Sequence, residues 1–152
     1  MKALRSIVLL IARWCLAAIF LFSGVGKFLF FEQTQAFMAS KGFTAVPFFL
    51  VGAALLELIF ALCLILGYKS RFAAAVLFLY LIPVTLIFHN FWDTGILEPA
   101  LQQLMFLKNI GIMGGLLYVL FDGPGGLALD HLLRKKEPEI ARQESVKTDV
   151  VT

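Results

Sequence analysis

Four long apolar runs constrain what this chain can fold into. They cover residues 6–30, 46–66, 72–92 and 101–121. Each has the length of about 20 residues that a helix needs to cross the roughly 30 Å hydrocarbon core of a bilayer. Of the 152 residues, 61% are hydrophobic and 15% charged, against about 45–50% and about 25% in soluble domains. The sequence therefore predicts an all-α membrane protein, a bundle of four transmembrane helices within residues 1–131.

Turn-forming residues mark the ends of these runs. Pro47 opens the second run, Gly67 follows it, and Pro99 precedes the fourth, where a proline suits the first turn of a helix. Pro83 lies inside the third run. Because neighbouring helices can satisfy the carbonyl that a proline leaves free, we keep this run as one kinked helix.

Two polar segments lie outside the spans. Residues 32–41 carry Phe37 and Met38 among polar side chains, which predicts a short interfacial helix after the first span, with an ordinary loop as the alternative. Residues 132–152 are charged and have no periodic apolar face, so we interpret them as a polar cytoplasmic tail.

The basic residues indicate the orientation of the chain in the membrane. They occur at residues 2–5, 69–71 and 134–136, whereas the loop at residues 93–103 contains none. Because Lys and Arg are enriched in cytoplasmic loops, both termini are predicted to be cytoplasmic. The basic residues flank apolar runs and form no stripe with interleaved aromatics, so we expect no nucleic-acid partner for this chain, whose main surroundings are the lipid bilayer.

Function is expected at the polar side chains inside the spans. An ionisable group at the centre of a transmembrane helix costs about 2.5–3.5 kcal/mol, so such groups seldom face lipid without a role. The groups in question are Arg13, Lys27, Glu57, His89, Lys108 and the neutral Asn109.

Arg13 and Glu57 lie on spans that run in opposite directions. At about 1.5 Å per residue, they are roughly 8 Å and 14 Å from the cytoplasmic boundary, within reach of a long guanidinium. We expect Arg13 and Glu57 to form a structural ion pair, with Lys108 as an alternative partner of the carboxylate. The sharper alternative makes Glu57 a proton relay or a ligand-binding carboxylate.

Lys27, His89 and Lys108 fall in the outer third of their spans, and Asn109 adjoins them. Together these four residues predict a ligand-binding pocket for a quinone carbonyl, an anionic lipid or an acidic partner. The alternatives are internal pairing and, for Lys27, a lysine that extends to the membrane surface. One intramembrane histidine cannot build a metal triad or a bis-histidine haem site, so no metal is expected.

The order of these residues resembles the DoxX family of small bacterial membrane proteins. The resemblance covers residues 5–131, and it rests on six pieces that follow Arg13 in order. They are FLFSGVGK at 20–27, LLEL at 55–58, GYKSR at 67–71, HNFW at 89–92, FLKN at 106–109, and DGPG at 122–125 with Leu129 and Asp130.

The resemblance implies a multi-pass protein of the bacterial inner membrane. It also implies a link to redox chemistry, since members include a subunit of a thiosulfate:quinone oxidoreductase and proteins associated with oxidative-stress enzymes. Two hypotheses follow. In the first, the chain is a quinone-linked subunit of a membrane redox complex, with no covalently bound cofactor. In the second, it is a non-catalytic membrane scaffold or chaperone-like partner subunit. The sequence leaves open whether the chain is part of an enzyme.

Overall fold

The chain folds into helices connected by short loops. The structure is a computed structural model that describes residues 2–92 and 98–133, and within them we find helices and no strand. The helices are α1 (Lys2–Leu29), α2 (Phe31–Ser40), α3 (Val46–Leu66), α4 (Ser70–Phe88) and α5 (Pro99–Asp122). All except α2 are long and apolar enough to cross a membrane. The predicted class, a bundle of four transmembrane helices, is confirmed.

The ends of the helices differ slightly from the predicted spans. The second predicted span, residues 46–66, coincides with α3. The third was predicted at residues 72–92, whereas α4 begins at Ser70 and ends at Phe88. The earlier start of α4 is due to a residue far away in the sequence. The Asp130 carboxylate accepts hydrogen bonds from the backbone N–H groups of Lys69 (2.7 Å) and Ser70 (3.1 Å), and so caps α4 from the far end of the chain.

Some expectations stay predictions. The helix α2 occupies the segment expected to lie at the membrane surface, but its depth in a bilayer and the orientation of the termini are untested. The α4 helix continues through Pro83. The tail from residue 134 onward and residues 93–97 of the loop before α5 lie outside the described residues.

The four long helices pack mainly against their neighbours along the chain. α1 packs mainly against α3, α3 also contacts α4, and α4 packs against α5, whereas α1 and α5 meet in few places. A Cβ atom added at Gly24 of α1 would lie 2.8 Å from the Leu58 side chain and 3.1 Å from the Ala54 carbonyl oxygen of α3. The absence of a side chain at this glycine therefore allows the close approach of α1 to α3.

Many residues in the interior of the bundle are small, and many large apolar side chains point outward. Alanines 17, 61, 73 and 74 are in the core with Leu64, Leu77 and Leu116. Phe22 and Phe121 are 81% and 76% exposed. An outer surface of this kind is expected where lipid is the solvent.

Candidate functional site

A buried ion pair occupies the middle of the bundle. Glu57 lies eleven residues after the start of α3 and nine before its end. The Nζ of Lys27 donates to both carboxylate oxygens of Glu57, at 2.9 and 2.7 Å, and to Ser23 Oγ at 2.7 Å. The Tyr80 hydroxyl donates to Glu57 Oε1 at 2.8 Å. We call Ser23, Lys27, Glu57 and Tyr80 the Glu57 cluster.

The Glu57 cluster is electrically balanced and closed to its surroundings. The side chains of Glu57 and Lys27 are 4% and 19% exposed. One positive and one negative charge cancel, and donors from two other helices contact the carboxylate. Ser23 and Lys27 are four residues apart, on one face of α1. The cluster therefore joins α1, α3 and α4 at one level of the membrane.

The expected Arg13–Glu57 ion pair is wrong. The Arg13 guanidinium donates instead to three backbone carbonyls, those of Pro124 (2.8 Å), Leu127 (2.9 Å) and Ile65 (3.3 Å). The physical reason is the level of Arg13, which lies beside Ile65 in the last turn of α3, eight residues or about 12 Å along the helix from Glu57. The loop that follows α5 folds back under this end of the bundle and supplies the other two carbonyls.

Gly67 makes room for this arrangement. Its φ is +71°, and a Cβ atom there would lie 2.7 Å from an Arg13 Nη and 2.6 Å from the Ala128 Cβ. Only glycine adopts this left-handed conformation without strain and leaves space for the guanidinium. Gly67 therefore ends α3 and also leaves the space that the Arg13 guanidinium occupies.

Lys27 does not extend to the membrane surface, which was the alternative to its place in the pocket, because Glu57 holds its ammonium group. Lys108 is not the alternative partner of Glu57. Lys108 is exposed, and its Nζ lies 3.4 Å from the Met105 sulfur. Among the described residues, we find no carboxylate within ion-pair distance of Lys108.

The remaining residues of the predicted pocket have separate partners. His89 Nδ1 lies 3.0 Å from Gln102 Oε1. The side-chain amide of the buried Asn109 donates to Thr85 Oγ1 at 3.0 Å. The structure does not bring Lys27, His89, Lys108 and Asn109 together around one space, and their role in ligand binding stays a prediction.

Sequence analysis missed several members of these polar contacts. Tyr80 was counted among the apolar residues of the third span, although a tyrosine in mid-membrane needs a partner for its hydroxyl. Thr85 and Gln102 gave no signal of their own. Asp130 lies beyond the last span, and only the tertiary fold places it at the start of α4.

A cavity of about 210 Å³ lies between α1 and α5. Its walls are mainly apolar, with Leu9, Leu16 and Val119 among them, and Arg13 and Tyr118 contribute to the lining. The Nε of Arg13 is buried and has no hydrogen-bond partner among the residues that the structure describes. Within the described residues, no cluster of His, Cys, Asp or Glu could hold a metal ion.

These features define an integral membrane protein with four transmembrane helices around a buried Lys–Glu pair. Comparison with known sequences gives the family. The DoxX family matches residues 8–90, and the chain belongs to this family.

Two relatives are inner membrane proteins of Escherichia coli K12. The chain is 31% identical to Inner membrane protein YphA over 128 residues, which is 84% of this chain and 91% of the relative. It is 32% identical to Inner membrane protein YqjF over 137 residues, 90% of this chain and 99% of the relative. The chain is thus a multi-pass protein of the bacterial inner membrane.

A more distant similarity reaches a eukaryotic protein. The ER-derived vesicles protein ERV29 of Saccharomyces cerevisiae is 30% identical over 105 residues, which is 69% of this chain and 31% of that protein. No solved structure shows a significant match to the chain.

Proposed function

We propose that this chain is a non-catalytic subunit that acts by binding another protein in the inner membrane. One observation carries the proposal. Within the described residues, the polar side chains inside the bundle, which do not include the exposed Lys108, link one helix of the chain to another. The pairs are Lys27 with Glu57, Tyr80 with Glu57, Asn109 with Thr85, and His89 with Gln102.

These pairs follow the order in which the helices pack. Lys27 joins α1 to α3, Tyr80 joins α4 to α3, and Asn109 joins α5 to α4. Polar contacts between transmembrane helices fix which helices associate and in which register. A substrate would have to displace an internal partner to reach any of these groups. The pattern is typical of a rigid scaffold that presents its outer surface to a partner.

The geometry supports a proton-relay role of Glu57 only for transfer to or from Tyr80. A proton could pass between Glu57 and Tyr80, whose oxygens are 2.8 Å apart. The same oxygen of Glu57 also contacts Lys27. Among the described residues, we find no hydrogen bond that continues from Ser23 to a further side chain, and we assign the carboxylate a structural role.

The test of the scaffold proposal is the size of the particle in its native membrane. The chain, tagged at its chromosomal locus, is solubilised in a mild detergent and separated by native electrophoresis. We expect it in a particle larger than the same chain overproduced and purified alone. Equal mobility of the two samples would remove the basis for a partner subunit.

A quinone-linked subunit is the second candidate function, favoured by the cavity between α1 and α5. The residues first expected to bind the head group, Lys27, His89, Lys108 and Asn109, do not fit, because they share no space. Arg13 fits better, since it lines the cavity and its Nε lacks an acceptor. A quinone carbonyl would supply that acceptor, and a bound quinone would contribute its own electron and proton transfer.

Extraction of the purified chain decides between the two candidates. Near-stoichiometric quinone, lost when the cavity is filled by Ala12→Phe but retained in the matched variant Ala36→Phe on α2, would support the second candidate. Extracts without quinone, together with a large native particle, would support the scaffold.

A further inference from the structure

Lys108 is a charged side chain on the outside of a transmembrane helix. It lies nine residues after Pro99, the first residue of α5, which is about 14 Å along the helix axis. The residue is exposed, and within the described part of the chain its ammonium group contacts only the Met105 sulfur. Arg13 and Lys27, by contrast, are held by oxygen acceptors inside the bundle.

Contact with lipid is an unfavourable environment for this ammonium group. Lysine has three N–H donors, and the thioether of Met105 is a weak acceptor. The stem of Lys108 lies back towards Met105 and the start of α5, but its four carbons are too short to cover the roughly 14 Å to the start of the helix. Charged residues within spans normally face an acceptor or a polar cavity. Lys108 therefore requires an acceptor from outside the described chain.

The residues around Lys108 form a surface suited to a second helix. They recur at the three- and four-residue spacing that places side chains on one helix face. Leu104, Leu107 and Tyr118 are 58%, 57% and 56% exposed. A Cβ atom at Gly111 or Gly114 would meet nothing within 4 Å, so a backbone can approach closely there. We call this surface the Lys108 face, formed by Leu104, Leu107, Lys108, Gly111, Gly114 and Tyr118.

We propose that the Lys108 face binds a transmembrane helix of another protein, and that this helix carries a carboxylate opposite Lys108. The proposal rests on the proposed scaffold function and names the chemistry of its partner. Charge decides the occupant. A positive group in lipid is best matched by a negative group at the same depth. A helix fits the groove that the open space at Gly111 and Gly114 leaves on the Lys108 face.

A second copy of this chain does not fulfil the requirement. Glu57 is the only carboxylate in the interior of the described spans, and it is buried against Lys27. Symmetric contact of two copies through the Lys108 face would place lysine against lysine. The described residues of a second copy therefore offer no acceptor at the depth of Lys108, and we assign the acceptor to a different chain.

The experiment uses the full chain, with a fluorescent donor at its C-terminus, in phosphatidylcholine vesicles. The probe is a synthetic Leu/Ala transmembrane helix with an acceptor dye and one central Glu. An otherwise identical helix with Gln is the comparison. We expect the Glu helix to bind about tenfold more tightly than the Gln helix, by energy transfer. Lys108→Met should abolish the difference, and Lys108→Arg should keep it.

A second pair of variants tests the groove independently of the charge. Gly111→Leu should weaken binding of both probe helices, because its side chain fills the groove. Gly52→Leu is the matched control, since Gly52 also faces open space but lies on α3. It should bind both probes as the parent chain does.

Three outcomes would overturn the proposal. They are equal binding of the Glu and Gln helices, undiminished preference in Lys108→Met, and, when phosphatidylglycerol is mixed into the vesicles, Lys108-dependent enrichment of that lipid without binding of the Glu helix. The last would assign Lys108 to a lipid phosphate. The probe assay does not depend on a native partner, so a chain that migrates alone in its native membrane yet prefers the Glu helix would refute only the scaffold proposal.

Discussion

Removal of Glu57 is the sharpest test of the way the bundle is held together. Glu57→Ala deletes the acceptor of two hydrogen bonds from Lys27 and one from Tyr80. Loss of one partner of a buried ion pair costs about 3–5 kcal/mol. Because the Lys27 side chain is 19% exposed and can relax towards a boundary, we expect the lower end, about 3 kcal/mol.

The contacts of the Glu57 cluster predict how much stability is recovered when two or three of its residues are replaced together. Replacing both charges, in Lys27→Met with Glu57→Leu, removes the ion pair but leaves the Tyr80 hydroxyl buried without an acceptor. That double variant should stay about 1–3 kcal/mol less stable than the parent chain. Adding Tyr80→Phe should recover most of this loss, because the site then contains only apolar groups.

The assay is reversible unfolding in mixed micelles of a mild detergent and dodecyl sulfate, followed by circular dichroism. A double-mutant cycle isolates the interaction between Lys27 and Glu57, which we expect to exceed about 1 kcal/mol. The matching cycle of Arg13→Met with Glu57→Ala should give a coupling below about 0.5 kcal/mol. The reverse order of the two coupling energies would refute the assignment of Lys27 as the partner of Glu57.

Three further predictions concern the end of the bundle that carries the N-terminus. Gly67→Ala should lower the unfolding free energy by about 2–5 kcal/mol, from left-handed strain and overpacking, whereas Gly42→Ala, also at positive φ but in open space, should show the strain alone. Asp130→Ala should cost about 0.5–2 kcal/mol in the same unfolding assay, because α4 loses its cap. Reporter fusions at Lys69 should behave as cytoplasmic and fusions in the loop before α5 as periplasmic; a periplasmic signal at Lys69 would contradict the predicted orientation.

The fold could be predicted because span length and hydrophobicity are properties of the sequence alone. Residues 46–66 were predicted as a span and form α3. The start of α4 could not be placed, since its cap is Asp130, 61 residues away in sequence from Lys69. A helix end that depends on a distant side chain leaves no local pattern.

The candidate site was harder because depth alone does not select a partner. Helix arithmetic placed Arg13 near Glu57 and Lys27 far from it, because it assumed that the first span begins at the level where the second ends. In the structure Arg13 lies beside Ile65, and Lys27 lies beside Glu57. Arg13 is taken by the carbonyls of Ile65, Pro124 and Leu127, which belong to a loop and a helix end with no recognisable acceptor motif. The rotation of α5 likewise determines that Lys108 is exposed while Asn109 is buried.

The contacts of Arg13 also constrain the order in which the protein can assemble. Two of its three acceptors lie 111 and 114 residues later in the chain. At about 5–20 residues per second, the first helix waits roughly 5–20 s during synthesis before these carbonyls exist. Until then the guanidinium in the first span has at most the Ile65 carbonyl, although Lys27 can already hold α1 against Glu57 of α3. Completion of the last loop is therefore the event that satisfies Arg13.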